Sequence, residues 1–295
     1  MSLTNESMWR TTGESLVQLF GGECKTNDTF AQLSGNLGTA AWALTGLPYP
    51  DLNMGIVSAE ANRENSMNNV VQRCNARKIP CLILSHDADD LCREMGMQEV
   101  GFFPLMHLSA NCVAQHEDDG ACKLATCDYE VQEGNLVVSS AFGLPVEAID
   151  YAFGNGVPKE STVRVYIAKR ECVATQDHAA DQASSADRTS ASDRSSASDR
   201  TSRVVCSLRI SQVGQIAVLW CMATEPSLQR QGIGKRLLRF ALSAEKEMGA
   251  VQMLLLATPD GLHLYQAVGF KTVAQASAFL ISSESNGQAT HPSSS

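Results

Sequence analysis

The chain has 295 residues and no run of about 18 apolar ones, so nothing in it reads as a membrane-spanning helix. Its opening stretch, Met1 to Ser15, lacks a basic segment followed by an apolar one. It does not read as a secretory leader, and the expected location is the cytoplasm. None of the 10 cysteines forms a CxxC pair, and Cys122 and Cys127 have no matching Cys/His pair at zinc-finger spacing. No metal site is therefore expected, and the cysteines read as small buried hydrophobes. Positive charge is in deficit, with 23 Lys and Arg against 32 Asp and Glu, a net charge of −9. That balance argues against nucleic acid or an anionic membrane as a partner, while leaving room for a local basic pocket.

Apolar material is ample. The hydrophobic fraction of 44% suffices for a full core, and the length suits one or two domains. One segment stands apart, from Thr175 to Arg203. Asp187-Arg188, Asp193-Arg194 and Asp199-Arg200 recur there at a fixed six-residue interval among Ser, Ala and Thr. No Val, Ile, Leu or aromatic residue interrupts it, so it cannot bury enough surface to offset its ordering entropy. We expect disorder over 175–203, and again over the tail 284–295. Val163–Ala168 and Val204–Ile210 flank the segment and read as strands, which makes it an expanded hairpin loop.

Beyond the insert the pattern alternates. Gln215–Thr224 reads as a buried strand. Gln229–Met248 reads as a helix, with Leu237, Leu238, Ala241 and Leu242 on one face and Gly249 as its stop. Val251–Ala257 is a further strand, Asp260–Val268 a short helix and Phe270–Leu280 a last strand. Before the insert, Glu133–Gly143 and Val146–Gly154 read as short helices. This order gives a mixed α/β or α+β fold around a twisted mixed sheet.

The most specific chemistry lies between strand and helix, in Gln229-Arg230-Gln231-Gly232-Ile233-Gly234-Lys235. Glycines let a ligand approach the backbone, and a helix start offers unpaired N–H groups and the positive end of the helix dipole. Together these suit a phosphate or pyrophosphate, with Arg230, Lys235 and Arg236 adding charge. A GxG alone is as readily a plain glycine-rich helix start. The spacing is neither GxxxxGK[ST] nor GxGxxG, which removes the common mononucleotide and dinucleotide loops.

The stretch resembles the Q/R-x-x-G-x-G/A motif of the GNAT superfamily of acetyltransferases. Leu264-Tyr265-Gln266-Ala267-Val268-Gly269-Phe270 resembles the second signature of that family, a helical Leu-Tyr followed by Gly-Phe. Thr258 departs from the Asn that many members carry. The resemblance implies a GNAT fold, acetyl-CoA or another acyl-CoA as cosubstrate, and N-acetyl transfer to a primary amine on a small molecule or peptide. It implies that Gln229, Arg230, Gln231, Gly232, Ile233, Gly234 and Lys235 hold the pyrophosphate. The backbone of Met222, Ala223 and Thr224 would pair with the pantetheine arm where two strands splay. Tyr265 would return a proton to the leaving thiolate, as a phenol with an ordinary pKa near 10 can. No general base is legible. Glu225 lies just past the central strand, Cys221 lies on it, and His263 should point away from Tyr265.

The first half carries no such motif, yet it echoes the order. Ile79–Ser85 reads as a strand, Asp87–Met95 as a short helix and Met97–Phe103 as a strand, with Cys92 where Tyr265 stands. Arg63–Lys78 would be the long helix, without the glycines. We therefore expect two tandem modules, 1–115 a degenerate GNAT-like one and 120–283 the acetyltransferase domain. The first would shape the acceptor cleft; Gly46–Pro50 is a rigid turn that could line it or be a plain loop. A non-catalytic acyl-CoA sensor or scaffold, and an interaction module displaying the Ser/Asp/Arg loop, are the other readings.

Overall fold

The computed structural model describes residues 3–21, 28–33, 39–58, 63–115, 120–159, 162–172 and 201–282. Most of the repeat insert and the tail lie outside them. The elements of the first half are α1 (Asn5–Gly21), β1 (Asp28–Leu33), β2 (Thr39–Leu44), β3 (Asn53–Ser58), α2 (Arg63–Arg77), β4 (Cys81–His86), α3 (Asp89–Glu94) and β5 (Gln98–Ser109). The second half contributes β6 (Cys122–Leu124), α4 (Asp128–Phe142), α5 (Val146–Phe153), β7 (Val163–Cys172) and β8 (Thr201–Val213). It continues with β9 (Ile216–Thr224), α6 (Ile233–Glu247), β10 (Gln252–Leu256), α7 (Leu262–Gln266) and β11 (Lys271–Ile281).

Both strands flanking the insert are longer than their apolar runs. Thr201, Ser202 and Arg203, read as insert, belong to β8, because β7 continues opposite them to Cys172. The helix expected from Gln229 starts at Ile233 instead. Arg230 at φ 62° and Gly232 at φ 80° lie in the left-handed region, which no right-handed helix can include.

The strands of the described residues join one mixed sheet of 11, in the order β1-β2-β3-β4-β11-β5-β10-β9-β8-β7-β6. The two halves exchange strands at its centre. β5 of the first half lies against β10 of the second, with Ser109 opposite Gln252 and Leu105 opposite Leu256. In return β11 lies against β4, with Ile281 opposite Cys81. β5 and β11 then pair with each other. The architecture is mixed α/β, a twisted sheet with helices on both faces.

Helices α1, α4 and α5 cover one face. Trp9, Leu16 and Phe20 of α1 join Val131, Val137, Ile149 and Phe153 in a core over Val165, Ile167 and Val218. On the other face Leu237, Leu238, Ala241 and Leu242 of α6 pack over Leu208, Ile210, Leu219 and Leu255. Each fully buried aliphatic chain of this kind contributes about 1.5–3 kcal/mol. Helix α2 covers the β3–β4 region with Met67, Val70 and Cys74. Polar ties cross between the halves too. Trp220 Nε1 donates to Ser15 Oγ at 2.7 Å, and Ser211 Oγ to Gln18 Oε1 at 2.8 Å. No helix of the described residues is long and apolar enough to cross a membrane.

Candidate functional site

Strands β9 and β10 run parallel and pair from Ile216/Gln252 to Leu219/Leu255. Their ladder ends there, although β9 runs on to Thr224. A bulge on β9 begins where the ladder ends. Arg209 faces Trp220 and Ser207 faces Ala223, so Cys221 and Met222 together oppose one residue of β8. Cys221 itself sits at φ 49°. Side-chain alternation slips accordingly: Trp220 and Cys221 both pack on the α1/α4/α5 face, while Met222 packs on the α6 face. A bulge of this kind bends its strand and re-aims side chains, and here it turns β9 away from β10.

The splay leaves the β10-facing edge of Met222, Ala223 and Thr224 without a strand partner; their other edge is held by β8. An unpaired parallel edge accepts an extended, amide-bearing ligand as another strand would. Ala257, just past β10, is tied elsewhere, its N–H donating to Pro104 O of β5 at 2.9 Å.

The chain leaves β9 through a 3-10 turn at Pro226–Leu228 and reaches α6 by way of Gln229 to Gly232. Gly232 is the N-cap of α6, and a Cβ built there meets nothing within 4 Å. Open space therefore adjoins the unpaired N–H groups of the first turn. Gly234 serves a different purpose. A Cβ there would stand 3.2 Å from Met222 Cε and 3.2 Å from Thr224 Oγ1, so its absence lets α6 sit close against the end of β9. Gln229 Nε2 donates to Thr224 O at 3.3 Å, and Arg170 Nη1 to Gln231 Oε1 at 3.4 Å. Arg230 and Gln231 are exposed, Ile233 is buried, and Lys235 is half-buried.

Tyr265 projects from α7 into the same region, on the α6 side. Its ring packs against the core beneath α6, as Met222, Leu228 and Leu264 do, and meets Phe270 edge-on at 6.0 Å. Gly261 makes room for it, since a Cβ there would lie 2.9 Å from Tyr265 Cε2. Burial raises the phenol's pKa well above its ordinary value, and the thiols of Cys221 and Cys206 add to the rise. The hydroxyl has no hydrogen-bond partner among the described residues. Burial likewise pushes Cys221 up to about 11 and Cys206 up to about 12. Both are neutral thiols near pH 7, not nucleophiles.

Glu225 is already committed. It forms an ion pair with Arg203, whose Nη2 donates to its Oε1 at 3.0 Å, and accepts from Ser227 Oγ at 2.7 Å, and these partners lower its pKa. His263 is exposed on the far side of α7 from the packed ring.

The corresponding place in the first half is closed. β3 and β4 pair without a break from Met54/Leu82 to Ser58/His86, the end of both strands. Trp9 stacks on His86 there at 4.9 Å. A depression of about 750 Å³ bordered by Val213, Gly214, Lys246 and Val251 lies at the opposite end of β9 and β10, away from the splay.

Residues 197–272 match the family model for the acetyltransferase (GNAT) domain. That segment carries a GNAT domain. The fold of the chain is shared with a GCN5-related N-acetyltransferase from Kribbella flavida, at a TM-score of 0.59 and 13% identity over 94% of this chain and 96% of that one. A functionally unknown conserved protein from Staphylococcus epidermidis aligns at a TM-score of 0.54 and 12% identity, over 86% of this chain and 94% of the other. At such identities the likeness is one of fold. No curated protein matches this chain. The matched GNAT segment runs from just before β8 to the start of β11, and so spans the splay, the Gly232 turn and Tyr265.

Proposed function

We propose that this protein belongs to the GNAT superfamily and is an acetyl-CoA-dependent N-acetyltransferase acting on a primary amine. The observation that carries the reading is the parting of β9 from β10 beside the open N-terminus of α6. An extended thioester-bearing arm fits the unpaired edge of Met222 to Thr224, and a pyrophosphate fits the space beside Gly232. The N–H groups of the first α6 turn would bind the phosphates, with Arg230 and Lys235 supplying charge. When bound, the cosubstrate supplies an activated acyl group on a thiol leaving group. The rest falls to the chain. The backbone edge of β9 orients the thioester and can donate an N–H to the oxyanion. Tyr265 holds a proton at its hydroxyl that can pass to the departing sulfur. Its raised pKa keeps that proton in place through the whole neutral and mildly alkaline range.

Acyl-CoA binding without turnover is the second reading, favoured by the lack of any carboxylate on β9 itself. A thiol-release assay with acetyl-CoA and a panel of primary amines separates the two. Tyr265→Phe should lower amine-dependent release about 10²- to 10⁴-fold with acetyl-CoA affinity unchanged. Gly232→Asp should abolish binding, since it puts a carboxylate where the phosphates sit. Binding with no release for any amine would favour the second reading; no binding at all would end both.

A further inference from the structure

Tyr265 and the open turn of α6 occupy the α6 side of the splay, which leaves the α1/α4/α5 side to an acceptor. Among the described residues three charged side chains are buried: Glu130, Arg209 and Glu245. Glu130 is paired with Lys123 and Lys169, and Glu245 with Arg164. Arg209, only 1% exposed, forms no ion pair with any described residue. Asp150 is engaged instead by Asn135 Nδ2 at 2.6 Å. The one buried cation of the three therefore lacks a counter-charge, and it lies at the splay.

Arg209 stands on β8 opposite Trp220, and Ser207 stands opposite Ala223. The bulge of β9 falls between those two pairs, so Arg209 and Ser207 bracket it. Both turn to the α1/α4/α5 face, the face on which Cys221 packs. Arg209 Nη2 donates to Asn135 Oδ1 of α4 at 2.7 Å, and its guanidinium carbon lies 5.1 Å from the centre of the Phe153 ring of α5. Its Nη1 is buried without a hydrogen-bond partner. Ser207 Oγ, on a fully buried residue, has none either. Gly134 of α4 leaves the room above that oxygen, since a Cβ there would stand 2.9 Å from it. Two unmet donors and a cation without an anion thus meet beside the bulge. Each is costly to bury alone, and one bound anion would satisfy all three. Solvent reaches this face at Cys221 and Leu256, both part-exposed.

We propose that Arg209, with Ser207, binds a carboxylate of the acceptor, so that the acceptor is an amino carboxylate and not a plain amine. This rests on the acetyltransferase reading above. Asn135 holds one arm of the guanidinium and is itself held, its Nδ2 donating to Asp150 and to Gly154 O at 2.9 Å. Nη1 is thereby fixed in advance as the arm that donates to the carboxylate, a charge-assisted bond of the strong kind. Strand β8 lies on one side of β9 and the thioester's edge on the other, two strand spacings or about 9.5 Å apart. The stem between amine and carboxylate must cross β9, passing over Cys221. A stem of several bonds does so, as in the side-chain amine of free lysine or in an ω-amino acid.

The test uses the full chain, acetyl-CoA, and two pairs of acceptors that differ only in a carboxylate: ε-aminocaproate with pentylamine, and lysine with cadaverine. Wild-type kcat/KM should favour the carboxylate-bearing member of each pair by about 10²-fold or more. Arg209→Met should bring that ratio down to within about threefold, and Arg209→Lys, which keeps the charge, should retain part of it. Acetyl-CoA affinity should match wild type in both variants. Ligand-free Arg209→Met should unfold in urea at a midpoint no lower than wild type, because it no longer buries an unpaired charge. The wild-type ratios stand as a test by themselves if a variant does not fold. Equal rates within each wild-type pair, or a ratio that Arg209→Met leaves intact, overturn the assignment while the enzyme reading stands. Wild-type protein that binds acetyl-CoA and acetylates none of the four overturns both.

Discussion

Cys221 is the residue on which the splay turns. It is a non-glycine residue held at φ 49° in the middle of a strand, a conformation that stores about 1–3 kcal/mol in most side chains. The surrounding structure fixes it there, since Trp220 on one side is pinned to Ser15 and Ala223 on the other is paired with Ser207. A β-branched replacement should suffer most. Cys221→Val is expected to lose about 2 kcal/mol or more in urea unfolding, whereas Cys221→Gly, which relieves the backbone, should lose under about 1 kcal/mol. Equal losses in the two variants would mean that thiol packing, not backbone conformation, sets the position. Nothing in the sequence marks Cys221 for this part, because cysteine carries no preference for left-handed backbone. Tyr265 and the glycines were legible, because their types and intervals follow directly from what a phosphate turn and a short helix need.

At the scale of elements, the expected strands and helices of the second half are all present. Their period-2 and 3.6-residue patterns leave little choice. The start of α6 was misplaced because the motif's charged and polar residues favour helix locally, while the left-handed turn that ends at Gly232 is a feature of backbone geometry. Helix α1 went unread, although Met8, Thr12, Leu16 and Leu19 form a buried stripe at helical spacing. A polar clamp joins β6, β7 and α4. Glu130 accepts from Lys123 Nζ at 2.8 Å, Lys169 Nζ at 2.7 Å and Thr126 N at 3.0 Å. Burial alone would raise its pKa, but these donors outweigh it and hold the carboxyl at about 2 against an ordinary 4.5. With the folded value depressed, the clamp's contribution is complete above about pH 4.5 and is lost as pH falls toward 2. Glu130→Gln should therefore cost about 1–3 kcal/mol at pH 7. The gap between variant and wild type should close in unfolding curves taken at pH 4 and then pH 3. A gap that does not narrow would show that the loss is one of packing.

For the whole molecule the exchange of β5 and β11 sets the terms. Strand patterns tell which residues face a core but not which strand lies alongside, so two modules in series were all that could be read along the chain. In space each half completes the other's sheet. Residues 1–115 expressed alone should expose the edge of β4, and residues 120–295 alone the edge of β10. Neither piece is expected to unfold cooperatively by itself. Co-expression should recover a soluble pair that binds acetyl-CoA. Two independently folded, monomeric fragments would show that the exchange is dispensable.

The order of synthesis gives that exchange a further meaning. A ribosome delivers β4 long before β11, yet β11 is the strand that closes its flank. The first half must therefore wait, its central edge open, until almost the whole chain has emerged. Such non-local closure slows folding and prolongs exposure to wrong partners. In a cell, the yield of this protein should depend on chaperones that occupy the open edge of nascent chains, and a stall in translation anywhere between β5 and β11 should leave a product prone to aggregate.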